Sequence, residues 1–218
     1  MEWIQLKTII FQGDSVTDAE RSRNSDENCG MGYATLVKAK LGFENPGKYK
    51  FYNRGICGNR ISDLYARIRR DTINLAPDYV SILIGVNEVL HEYIKKDGFS
   101  AKRFKELYIM MLEDIYEALP DVKIFIMEPF MLPGVGTVSD EEHPGRWEFY
   151  CEKLPEYQKA AREVAEHFGI PFVELQKPIS DAAQIAGAQF VLGDGIHPIS
   201  EGHELIARAW IRTFESIK

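Results

Sequence analysis

The strongest constraint on this chain is the regular alternation of short apolar runs with segments of helical period. Leu6 to Phe11, Tyr49 to Tyr52, Tyr79 to Ile84, Val122 to Met127 and Pro171 to Leu175 are brief and rich in Ile, Val, Phe and Tyr. Such runs suit strands buried on both faces of a sheet. Between them, Phe104, Leu107, Met111, Leu112, Ile115 and Leu119 fall on one helical face that stops at Pro120-Asp121. Leu154, Tyr157, Ala161, Val164, Ala165 and Phe168 form a second such face, closed by Gly169 with Pro171 just beyond. A last helix is expected from Ser200 as its N-cap, with Leu205, Ile206, Ala209 and Trp210 inward. Strand–helix alternation dictates a parallel sheet covered by helices on both sides. The expected architecture is α/β: a flavodoxin-like, doubly wound three-layer αβα sandwich on a five-stranded parallel sheet.

A chain of 218 residues is one domain by the usual size relation, taken as 1–218. Folding at this size buries about 70% of the surface, enough to dispense with covalent or metal staples. Cys29, Cys57 and Cys151 are odd in number and contain no Cys-x-x-Cys pair, which argues against a disulfide framework and a thiolate metal site. The 33 acidic against 26 basic residues give a net charge of −7, a poor balance for binding nucleic acid or an anionic membrane. The start, Met1 to Lys7, has neither a basic segment nor a long apolar run, and no stretch approaches a bilayer span. The expected setting is cytoplasmic, and nothing in the pattern opposes a homo-oligomer.

In open α/β sheets ligands sit beyond the carboxyl ends of the strands. Those positions hold Gly13-Asp14-Ser15-Val16-Thr17-Asp18, then Asn53-Arg54-Gly55-Ile56-Cys57-Gly58-Asn59-Arg60, then Gly85-Val86-Asn87-Glu88. Gly193-Asp194-Gly195-Ile196-His197-Pro198 precedes the final helix. Together they supply a hydroxyl, an imidazole three residues from a carboxylate, and an amide. Acyl transfer needs that set: a serine becomes nucleophilic when an imidazole takes its proton, and a carboxylate fixes the imidazole tautomer. The Ser15 N–H, a glycine N–H of the second loop and the Asn87 amide are donors of the right type for an oxyanion. Each piece also has an ordinary structural use, Gly-Asp-Ser as a helix cap and Asn87 as a turn residue. Four such pieces meeting at one sheet edge favour chemistry.

In order and content, these four blocks resemble those of the SGNH (GDSL-type) hydrolases, from about Leu6 to Trp210. The resemblance implies Ser15 as nucleophile, His197 as base and Asp194 as its orienter. It also implies oxyanion donors at Ser15, Gly58 and Asn87, with Gly58 chosen over Gly55, and no cofactor or metal. Gly13 to Asp18 and Ile84 to Val89 look most like the intracellular carbohydrate and xylan acetyl esterases, so the expected activity is hydrolysis of acetyl or other short-acyl esters on sugars. One departure stands out: Glu88 occupies the place of the Asp that usually follows the third-block Asn.

Around these residues, Asp14, Asn59, Arg60 and Trp147 are candidates for touching a small-molecule or oligosaccharide ester. Asp14 also reads as a turn residue and Arg60 as a solvated helix start. The irregular stretch from Pro129 to Trp147 is long enough to expect function or motion; an apolar lid of Phe130, Met131 and Leu132 is one form this takes. Two other readings stay open. A lysophospholipase or thioesterase would share the mechanism with longer acyl groups. A metal-dependent phosphoesterase would draw on Asp14, Asp18, Asp194, His197 and His203. A binding domain without activity is disfavoured, because Ser15, Asp194 and His197 are all present.

Overall fold

The computed structural model describes residues 6–218, so most of the Met1–Lys7 stretch lies outside it. Five parallel strands form the central sheet: β1 (Lys7–Gly13), β2 (Tyr49–Asn53), β3 (Tyr79–Leu83), β4 (Lys123–Met127) and β5 (Phe172–Val173), in the order β2-β1-β3-β4-β5. This is the flavodoxin-like order expected from the alternation. β1 runs two residues beyond the expected end, because Gln12 and Gly13 pair with Ile82 and Leu83 of β3. β5 is shorter than expected. Pro171 has no N–H to give to the ladder, and the Leu175 N–H is taken by the Glu128 carboxylate at 2.8 Å.

Among the described residues, eight α-helices flank the sheet: α1 (Ser15–Asp18), α2 (Tyr33–Glu44), α3 (Ile61–Asp71), α4 (Val86–Lys95), α5 (Ala101–Ala118), α6 (Arg146–Phe168), α7 (Gln176–Ala186) and α8 (Ser200–Ile217). Strand side chains alternate between two cores. Ile10, Val80, Ile82, Ile124 and Ile126 pack under α3, α4, α5 and α6. Ile9, Phe11, Leu83, Phe125 and Met127 face α2, α7 and α8, where Trp210 stacks on Phe214 at 5.1 Å. Two helix boundaries differ from the sequence expectation. α8 begins at Ser200 itself, after an extended Ile199, and the Ser200 hydroxyl caps nothing. α6 runs through Pro155, because its apolar face remains packed against the core on both sides of the proline.

β1 lies between β2 and β3, so successive connections leave it in opposite directions. The crevice this opens is bounded by the residues after β1, β2 and β3, which are the first three blocks singled out above.

Candidate active site

Asp14 follows β1 and caps α1: its carboxylate accepts the Val16 N–H at 3.0 Å. The cap sets Ser15 at the first helical position, partly exposed at the crevice. From the far end of the chain, the loop before α8 brings His197 to it, with Ser15 Oγ 2.9 Å from His197 Nε2. His197 Nδ1 lies 2.7 Å from Asp194 Oδ2, while Asp194 Oδ1 accepts the backbone N–H groups of Ile196 and His197, both at 2.8 Å. Burial alone would raise the Asp194 carboxyl, but the His197 and Ile196 donors outweigh it and hold the pKa below the ordinary carboxylate value. An ionised Asp194 fixes the hydrogen on Nδ1, which leaves Nε2 as the acceptor for the Ser15 hydroxyl.

The Pro129–Trp147 stretch has a definite role in this geometry. Leu132 N–H donates to Gly195 O at 2.9 Å and Gly136 N–H to Asp194 O at 2.8 Å, so the stretch braces the loop that carries the carboxylate and the imidazole. Phe130, Met131 and Leu132 are buried in the cores and form no lid.

The two glycines of the second loop have different requirements. A Cβ on Gly55 would lie 2.3 Å from Asp18 N, so Gly55 permits the second loop to touch α1. Gly58 has open space around it but a φ of +78°, a conformation that glycine adopts without strain. The adjoining Asn59 carbonyl accepts Asn87 Nδ2–H at 3.0 Å. An amide nitrogen carries two hydrogens, so a second N–H remains on Asn87.

Glu88, the departure in the third block, is fully buried, and its carboxylate accepts the Ile61 N–H at 2.7 Å. It ties the start of α4 to the start of α3 and so holds the second and third loops together. Burial raises its pKa from 4.5 to about 8, opposed by the Ile61 N–H and assisted by nearby Asp14. Asp14 itself is raised to about 7, chiefly by burial, against the Val16 N–H and the proximity of His197. With Glu88 raised in the fold, its penalty is absent below the unfolded value, grows as pH rises, and is complete above about 8. Glu88→Gln keeps an oxygen for Ile61 N–H and removes the ionisation. Its thermal stability should match the parent near pH ~4 and exceed it near pH ~9, by up to about 5 kcal/mol. Equal pH dependence of Tm in the two proteins would contradict the buried, protonated carboxyl.

Sequence reasoning missed Arg67. Buried in α3, it donates to Gly13 O, Arg54 O and Asn59 Oδ1 and pairs with Asp71 at 3.0 Å, bracing the first two loops from beneath. Its signal was a charged i,i+4 pair on the inward side of a helix.

Ser15 and His197 open on a cleft of about 710 Å³, walled by Val16, Asp18, Arg21, Arg23, Met31 and Ile199 among others. Asp14, Asn59, Arg60 and Trp147, the residues expected to touch substrate, are not among those that line this cleft. Asp14 is buried as the α1 cap. Asn59 is held by Arg67 and Asn87. Arg60 donates to Asp97 O at 2.6 Å and lies over the Phe99 ring. Trp147 lines a separate cavity with Met131, Tyr150 and Leu154. Nor do the acidic and histidine residues form a metal cage: among the described residues no three His, Cys, Asp or Glu side chains gather as ligands. Asp18 is taken by Arg23 and by the Cys57 N–H. His203 Nδ1 accepts the Tyr33 N–H, and burial, then His197, pushes its pKa down to about 4.

No described helix is long and apolar enough to cross a membrane. An acetylxylan esterase of Geobacillus stearothermophilus is 31% identical over 215 residues, covering 94% of this chain and 92% of that protein. The crystal structure of an acetylxylan esterase from the same organism superposes with a TM-score of 0.80 at 27% identity, over 96% of this chain and 95% of that one. A Parabacteroides merdae protein assigned as a GDSL-like lipase superposes with a TM-score of 0.86 at 33% identity, over 97% and 98% of the two chains. The pattern of the GDSL-like lipase/acylhydrolase family matches residues 11–205, all four strand-end blocks included. The chain belongs to that family and is a carboxylic ester hydrolase.

Proposed function

We propose that this esterase removes acetyl and other short-acyl groups from carbohydrates through an acyl-enzyme on Ser15. The observation that carries the reading is the continuous hydrogen-bonded line Ser15–His197–Asp194, at 2.9 and 2.7 Å, opening on a cleft. Ser15 Oγ attacks the ester carbonyl as its proton passes to His197 Nε2, and Asp194 stabilises the resulting imidazolium. The developing oxyanion takes hydrogen bonds from the Ser15 and Gly58 N–H groups and from Asn87 Nδ2. His197 then protonates the leaving sugar oxygen. Water, activated by the same imidazole, attacks the acyl-serine and releases acetate.

The short-acyl preference has structural support. The cavity lined by Asp14, Val16, Leu83, Val86, Pro129 and Phe130 measures about 10 Å³, no more than a water needs. Additional methylenes gain about 0.8 kcal/mol each only when buried, and a cavity of about 10 Å³ has no room to bury them. Apolar Met31 and Ile199 do line the open cleft, and they are the surface a longer acyl chain would have to use. The kcat/KM for acetate, butyrate and octanoate esters of one alcohol is expected to fall along the series, with acetylated xylo-oligosaccharides also turned over. A rise towards octanoate would replace this reading with a lysophospholipase or thioesterase. Loss of activity in EDTA would point to metal-dependent chemistry.

A further inference from the structure

We infer that the cleft is built for an ester whose sugar carries a carboxylate, an acetylated uronic-acid-type ring or oligosaccharide, with Arg21 as the residue that recognises it. This inference rests on the esterase reading above. The chain is acidic overall, at −7, yet Arg21 and Arg23 both line the wall of the cleft that holds Ser15 and His197. The arginines around Arg21 are matched: Arg23 pairs with Asp18 at 2.5 Å, Arg54 with Asp26 at 2.7 Å and Arg67 with Asp71 at 3.0 Å. Arg21 has no carboxylate within pairing distance among the described residues, although exposed Glu20 shares the cleft wall.

The guanidinium of Arg21 is nevertheless fixed. Its Nε donates to Gly55 O at 2.7 Å and its Nη1 to Ser22 O at 3.4 Å, leaving the Nη2 corner with no acceptor among the described residues. The Gly55 carbonyl also receives Arg23 Nη1 at 3.4 Å, so both arginines are held to the second loop. Burial, then the neighbouring Arg23, pushes the Arg21 pKa down to about 10, with Asp18 opposing and Arg54 and Arg67 adding to it. It stays charged at neutral pH. A positioned, partly buried guanidinium with unmatched charge binds a planar carboxylate better than a hydroxyl, and a concave wall concentrates its field. Neutral sugar hydroxyls give it no comparable partner.

The test uses two methyl glycosides monoacetylated at the same hydroxyl, one of glucuronic acid and one of glucose, with p-nitrophenyl acetate as a neutral reference. At low salt the acidic sugar is expected to have a kcat/KM about tenfold higher or more, the scale of one charge-assisted hydrogen bond. The ratio should fall towards one in NaCl at about 1 M, where the screening length is about 3 Å. In Arg21→Gln it should fall likewise at low salt. The salt series on the parent protein keeps the test decisive if that variant folds poorly. Equal rates on the two sugars, or a preference that survives both salt and Arg21→Gln, would overturn the inference. If p-nitrophenyl acetate is hydrolysed and the sugars show no preference, only the carboxylate specificity falls. If no acetyl ester is hydrolysed, the esterase reading falls and this inference with it.

Discussion

Ser15→Ala should leave a folded protein with kcat lower by about 10⁴-fold or more, the usual cost of deleting a serine nucleophile. The change removes one oxygen at the first position of α1, while the Asp14 cap and the Val16 core contact remain. The imidazole and oxyanion donors would be left with nothing to activate. His197→Ala should be nearly as severe, and the double variant no worse than Ser15→Ala, because members of such a unit do not lose activity additively. Steady-state rates on p-nitrophenyl acetate, with circular dichroism as a fold control, decide this. Activity within tenfold of the parent in Ser15→Ala would remove Ser15 from the mechanism.

Asn87→Ala is expected to lower kcat by about 10²–10³-fold with little change in KM, because an oxyanion donor acts mainly once charge has developed on the carbonyl oxygen. The structure adds a condition. Asn87 also donates to the Asn59 carbonyl beside Gly58, so the alanine variant loosens the second loop as well. Asn87→Asp keeps the shape but loses both N–H donors, the one to the Asn59 carbonyl included, and brings negative charge against the oxyanion. It should be at least as inactive as Asn87→Ala. A raised KM with unchanged kcat would make Asn87 a contact of the ground state instead.

Much of the frame was legible because its signals are local. Five apolar runs and the helical periods between them fixed the layers, and the parallel order followed from general rules of connection. The blocks at the strand ends were legible for the same reason: each is a short segment directly after an apolar run. What could not be read depends on contacts between segments distant in the chain. Arg67 looks like a surface charge until α3 is seen to place it under Gly13 and Arg54. The Pro129–Trp147 stretch has loop composition, and its bracing of Asp194 runs through backbone groups that every residue possesses. Arg60 and Trp147 adjoin a block and a loop in sequence, but Arg60 is held by the Asp97 carbonyl and Trp147 lines a separate cavity. Arg21, by contrast, lies on an unremarked segment and is carried into the cleft by its bond to Gly55. α6 continues through Pro155 because tertiary burial outweighs a local helix-breaking preference.

The central claim is that the ester's acyl group passes through Ser15. Acid quenching of the enzyme during turnover of p-nitrophenyl acetate, followed by peptide mass spectrometry, tests it most directly. One added acetyl group is expected on the peptide that contains Ser15, located on that residue and absent from Ser15→Ala. An acetyl group on another residue, with Ser15 unmodified while hydrolysis proceeds, would contradict it.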